Sequence, residues 1–281
     1  MTARAKRFVK LWVDLFNKHE LLDHASSISF AVLKALVPLT LLGIAVLGVA
    51  GQRHVWRNTM FPALKPHVQP ATANAIDAAV EKIFSQDSIG LIVFASILAL
   101  WYISGSVRGV MSATNAIYER EETRSWKVRY PLSIGLAAAI AACLIGSTLA
   151  VLAGPALFSS GVVGVAVDIG RWLVAVVLLT VAVGLLFRYA PVEPRSSGWV
   201  SGGSILVILA WIAASMIFRL LVTTLLNFKT ATGSLGVFLV LTGYVYTSSI
   251  IFLVGVEVDE LLRADAAEGE RGLLELLGIA R

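Results

Sequence analysis

From Leu235 to Val256 the chain runs for 22 residues without a charge. A helix of that length rises about 33 Å, and the hydrocarbon core of a bilayer is about 30 Å thick. Inside that core no water satisfies backbone N–H and C=O groups, so a spanning segment must be a helix or part of a closed barrel. The run is punctuated at both ends. Gly233, Ser234 and Gly236 stand at its start, and Glu257, Asp259 and Glu260 at its exit. An inert anchor has no use for that ordered polarity.

The rest of the chain repeats the constraint. We read six apolar spans: Ile28–Ala50, Ile89–Val107, Leu132–Ala153, Ile169–Phe187, Val200–Phe218 and Leu235–Val256. Hydrophobic residues make up 57% of the chain and charged ones 15%. Soluble domains run nearer 45–50% and 25%, roughly. The expected fold is therefore all-α: a single membrane domain, residues 1–281, with residues 25–262 as a bundle of six transmembrane helices.

Lys and Arg in the flanks set the expected orientation. Arg4, Lys6, Arg7, Lys10, Lys18, Arg120, Arg124, Lys127, Arg129, Arg188, Arg195, Arg263, Arg271 and Arg281 fall on one side. Arg53, Arg57, Lys65, Lys82 and Lys229 fall on the other. The positive-inside rule then places both termini in the cytoplasm of a bacterial cell, with residues 263–281 as a cytoplasmic tail. The N-terminus is basic and amphipathic rather than a short apolar leader, so no cleavable signal is expected.

Two segments outside the spans read as helices. In residues 1–24, Phe8, Leu11, Trp12, Leu15 and Phe16 share one face, opposite Lys6, Lys10, Asp14, Asn17 and Lys18. That is the pattern of an interfacial helix lying on anionic headgroups. Pro70–Gln86 is helix-prone, with Ile76, Val80, Ile83 and Phe84 as its apolar side, after breakers at Pro62, Pro66 and Pro70. The segments beginning at Ser88 and Ser234 resemble each other, which raises an internal repeat of spans one–two and five–six; compositional likeness between apolar helices is the alternative.

Ionisable residues inside spans are the candidate site. A lysine near the centre of a membrane helix costs about 2.5–3.5 kcal/mol. Lys34 is expected to face a bundle interior or wet cavity. Snorkelling is the alternative, strained by a depth of about 15 Å from the helix start. Pro38, on the same face, removes a backbone donor and is expected to kink the helix. Arg108, with Asn115 two turns on, and Glu257 all fall at the cytoplasmic boundary, and an Arg108–Glu257 gate is the sharpest expectation; two independent interfacial charges are the plainer one. On span six, Thr242, Tyr246, Ser249 and Glu257 form a hydroxyl and carboxylate face that lines a polar path or bonds neighbouring helices. Gly236, Gly243 and Thr247 form a small-residue face suited to close packing.

Enzyme chemistry finds no foothold. His19, His24, His54 and His67 are scattered, and no HxH, HExxH, Walker or Gly-x-Ser-x-Gly pattern occurs. Cys143 is the single cysteine, so neither an internal disulfide nor a CxxC site can form. No catalytic residue, metal site or cofactor is expected. The net charge of +5 is accounted for by positive-inside bias and anionic lipid, not by nucleic acid. Membrane lipids are the expected partners, and a homo-oligomer stays open.

Four blocks in order resemble the YihY/virulence factor BrkB family, once also labelled ribonuclease BN. They are ASSISFAVLKALVPL from Ala25, SGSVRGVMSATNAIY from Ser104, FRYAPVEPRSSGWVSGG from Phe187, and TGSLGVFLVLTGYVYTSSIIFLVGVEVDELL from Thr232. The resemblance covers about Ala25 to Leu262 and singles out Arg108, Asn115 and Glu257. It departs at Lys34, where the family usually has an apolar residue. It implies a six-helix inner-membrane protein linked to envelope integrity or transport. Transport of an amphiphilic or anionic, lipid-like substrate is the leading functional expectation, and a non-transporting scaffold or envelope-integrity factor is its rival.

Overall fold

The structure is a computed structural model, and it describes residues 3–65, 70–85, 89–157, 161–193, 201–225 and 231–268. Arg195, Lys229, Arg271, Arg281, Ser88 and Val200 lie outside these ranges, as do the side chains of Phe8 and Leu11. The described residues are helical nearly throughout. The helices are α1 (Ala3–Lys18), α2 (Leu21–Val49), α3 (Pro70–Ser85), α4 (Ile89–Ile117), α5 (Trp126–Leu157), α6 (Gly161–Tyr189), α7 (Gly202–Leu225) and α8 (Ala231–Glu268). Between α2 and α3 lie short turns at Arg53–Val55, Trp56–Met60 and Phe61–Leu64, the middle one wound as a π-helix. Six helices, α2 and α4 to α8, are long and apolar enough to cross a membrane.

The spans are longer than their apolar cores suggest. Apolar runs mark where hydrocarbon lies, whereas helices continue into the headgroup region. Thus α2 begins at Leu21, seven residues before Ile28, and Lys127 and Arg129 belong to α5 rather than to a loop. Helix α2 also runs through Pro38 without ending. The predicted helix at Pro70 is present as α3, with Val80 and Phe84 buried.

Two helix ends break sharply at a glutamate. Glu20 has φ 48° and Glu119 has φ 51°, the left-handed region that favours glycine. At Glu119 the backbone forms a Schellman cap. The Arg120 N–H donates to Asn115 O at 2.9 Å and the Glu119 N–H to Ala116 O at 3.1 Å.

The chain divides into two compact units. The first comprises Met1–Ile28, Ser104–Ile212 and Ser249–Arg281. Its core holds Leu21, Ala25, Met111, Ile117, Val183, Leu253 and Val256, and Phe187 meets Phe252 edge to face with centroids 5.5 Å apart. Here α7 and α8 touch backbone to backbone. A Cβ on Gly203 would fall 2.1 Å from the Gly255 carbonyl oxygen, and one on Gly255 would fall 2.2 Å from Val207 Cγ2.

The second unit comprises Ser29–Ile103 and Ala213–Ser248. Trp56, Val80 and Phe84 form a small core with Ile44, Leu47, Phe61, Leu64 and Ile76 against it. The Trp56 indole N–H donates to Asp77 Oδ1 at 2.8 Å, Arg57 pairs with Glu81 at 2.8 Å, and the Arg53 guanidinium donates to the Phe84 carbonyl. On the same unit Tyr244 and Ser215 share a hydroxyl hydrogen bond of 2.9 Å, with Phe218 edge to face on the tyrosine ring.

Candidate functional site

Two polar clusters stand out among the described residues of the first unit. The first is a junction of three chain segments. The α1–α2 break places Lys18 and His19 beside the α4 cap and the last third of α8. His19 Nδ1 lies 2.9 Å from Glu257 Oε2, with His19 6% and Glu257 1% exposed. An ionised carboxylate only accepts hydrogen bonds, so this contact holds one proton, on the imidazole or on the carboxyl. On the outer side, His19 Nε2 is 3.8 Å from Glu119 Oε1, and Lys18 Nζ donates to that same oxygen. The Lys18 contact holds the Glu119 carboxyl below its ordinary range.

The second cluster ties the α4–α5 connection to the end of α6. Asn115 is buried. Its amide donates to Glu122 Oε2 at 3.1 Å and accepts from the Val192 N–H at 2.9 Å. Arg124 grips Glu122 with Nε to Oε1 at 2.7 Å and Nη2 to Oε2 at 2.9 Å, the bidentate geometry that suits a guanidinium and a carboxylate. Its Nη2 also donates to Ala190 O at 2.9 Å. The Arg124 contact, first among several, keeps the Glu122 carboxyl below its ordinary range. Arg129 adds a hydrogen bond to Ser112 Oγ at 2.8 Å and approaches Glu122 at 3.6 Å.

This arrangement corrects the expected gate. Glu257 pairs with His19, not with Arg108. Arg108 Nη1 instead donates to Ser104 Oγ at 2.9 Å and to Ser133 Oγ at 3.1 Å, and its guanidinium stacks 4.4 Å from the Tyr130 centroid. The helical periodicity that put Arg108 and Glu257 at one depth gave no information about which helix faces which. His19 matches no metal motif, and nothing in its local sequence marks a partner 238 residues away.

The other expected residues are distributed as follows. Lys34 is exposed on α2, with Nζ 4.5 Å from the Phe30 centroid and 5.7 Å from that of Tyr102. Pro38 is buried. Ser249 is buried in the first unit, whereas Thr242 and Tyr246 are half-buried in the second. The Thr242 hydroxyl is enclosed and has no hydrogen-bond partner among the described residues. At Gly243 an added Cβ would sit 3.8 Å from the Phe218 ring, an ordinary contact. The tight helix approach is at Gly203 on α7 and Gly255 on α8, not at Gly243. Among the described residues no three His, Cys, Asp or Glu side chains converge as metal ligands would.

Six membrane-length helices define a multi-pass membrane protein. Its family follows from comparison: the family described as virulence factor BrkB matches residues 13–273, and the chain belongs to it. Among curated relatives it is similar to YfkH of Bacillus subtilis (strain 168), named as a ribonuclease-like protein. The two are 24% identical over 264 residues, covering 91% of this chain and 94% of the relative. No solved structure matches.

Proposed function

We propose that this BrkB-family protein is an inner-membrane translocator of an amphiphilic, anionic, lipid-like substrate, with both termini cytoplasmic. The buried His19–Glu257 pair carries this reading. Glu257 lies in the last membrane-length helix, and an ionisable residue buried there is costly and by default marks a functional site. A bundle that only held itself together gains little from such a pair, because apolar residues of similar volume are often as stable. The flanking Lys and Arg residues support the orientation, and α1, with Trp12, Leu15 and Phe16 opposite the exposed Lys10, Asp14 and Lys18, suits the cytoplasmic leaflet.

The Asn115–Glu122–Arg124 cluster favours a second reading, a scaffold or envelope-integrity factor, since its hydrogen bonds fix a connection rather than open one. The ribonuclease-like name of the Bacillus relative suggests a third, for which the described residues offer no convergent donor set. On the translocator reading the protein is not an enzyme and uses no cofactor. The test is movement of headgroup-labelled lipid between leaflets of vesicles containing the purified protein.

A further inference from the structure

Lys34 belongs to neither cluster. It is the sole charge between Ala25 and Val49. Its Nζ rests over the ring of Phe30, one turn back toward Leu21, and near the ring of Tyr102 on α4. A helical side chain leans toward the N-terminus of its helix, so the ammonium reaches back toward the start of the apolar run at Ile28. The Lys34 Cα lies about 9 Å past Ile28, and the ring beneath the ammonium belongs to a residue only about 3 Å past it. Counted from the start of the apolar run rather than from the start of the helix, the charge falls toward the headgroup end of the span.

An ammonium has three donors. The two rings take up part of its charge, a contact worth about 0.5–2 kcal/mol, but among the described residues no hydrogen bond or ion pair reaches it. An exposed cation with free donors at that depth is suited to an anion. The surface beyond it is the complement. Leu36, Val37, Thr40, Leu41 and Ile44 line a shallow open trough along the outside of α2. It extends about 12 Å from residue 36 to residue 44, away from the ammonium and deeper into the apolar run. Thr40 adds little polarity, because its hydroxyl is spent on the Leu36 carbonyl at 2.8 Å.

The geometry points to a binding site for one anionic glycerophospholipid of the cytoplasmic leaflet, with its phosphate on Lys34 Nζ and an acyl chain in the Leu36–Ile44 trough. This deepens the translocator reading and rests on it only for the site's use as a loading point. Occupancy itself is measured separately from movement.

The experiment is native mass spectrometry of the purified full-length protein, with phosphatidylglycerol or phosphatidylcholine of equal chain length added. Wild type is expected to retain phosphatidylglycerol preferentially. Lys34→Gln should lower that retention about fivefold, the effect of about 1 kcal/mol for one lysine near an anionic surface, and Lys34→Arg should preserve it. Leu41→Trp, which fills the trough, should weaken retention with the charge intact. Equal phosphatidylglycerol retention by wild type and Lys34→Gln overturns the site. Displacement by glycerol phosphate as effective as by the lipid overturns the acyl-chain half. Selective retention without movement in vesicles leaves the site standing and removes the translocator.

Discussion

The imidazole of His19 and the carboxylate of Glu257 meet at 2.9 Å, buried from solvent and 238 residues apart in sequence. This contact fastens the end of the amphipathic helix α1 to the terminal span. Removing one member of a buried ionisable pair leaves the other buried without its partner, at about 3–5 kcal/mol. His19→Ala and Glu257→Ala should each destabilise the protein by that order, and the double variant by at least 1 kcal/mol less than the sum. Unfolding of the four proteins in detergent measures this. Strict additivity would show that the two side chains act independently.

One shell out, the chemistry is similar and the energetics differ. Lys18 and Glu119 form an ion pair with side chains 60% and 62% exposed, so solvent screens them and ordering costs offset the attraction. Lys18→Ala should change stability far less than His19→Ala does. A loss as large as that of His19→Ala would mean that Lys18 is part of the buried pair's support.

Glu122 sets an acid limit on the α4–α5 connection. Its folded carboxyl titrates below the ordinary value because Arg124 holds the ionised form. A depressed folded pKa stabilises above the unfolded pKa, about 4.3 for glutamate, and that contribution fades as pH falls through the folded value. Wild type should therefore exceed Glu122→Gln in stability at neutral pH, and the gap should narrow steadily below about pH 4.3. Unfolding across a pH series gives both curves; a constant gap down to strong acid contradicts the assignment.

The α7–α8 contact makes a sharp steric prediction. Gly203→Ala places a Cβ 2.1 Å from the Gly255 carbonyl oxygen, against backbone that cannot swing aside. Overpacking of this kind costs about 1–3 kcal/mol. Gly243→Ala meets the Phe218 ring at 3.8 Å and should be nearly neutral. Thermal unfolding of both variants distinguishes them, and a tolerant Gly203→Ala would show that the two helices are free to separate.

The parts of this molecule legible in sequence are those fixed by local physics. Run length identified the spans, and alternation of apolar and polar faces identified α1 and α3. Pairings between helices were not legible, because 3.6-residue periodicity fixes a side chain's face but not the neighbour it meets. Arg108 and Glu257 shared a depth and opposite charge, yet Ser104 and Ser133 take the arginine and His19 takes the carboxylate. Gly203 and Gly255 each read as an unremarked small residue until their helices were brought together. Asn115 was visible as a motif residue and Arg124 as a flanking charge, but their common partner Glu122 lies in a short connection with no periodicity to betray it.

The most direct test of the central claim uses vesicles of phosphatidylcholine containing a trace of headgroup-labelled phosphatidylglycerol and the purified protein. A membrane-impermeant quencher is added outside. The account predicts that inner-leaflet label becomes accessible with protein present, faster than in protein-free vesicles, and more slowly with Glu257→Gln. Identical protection of the inner label with and without protein would contradict translocation and leave the scaffold reading in its place.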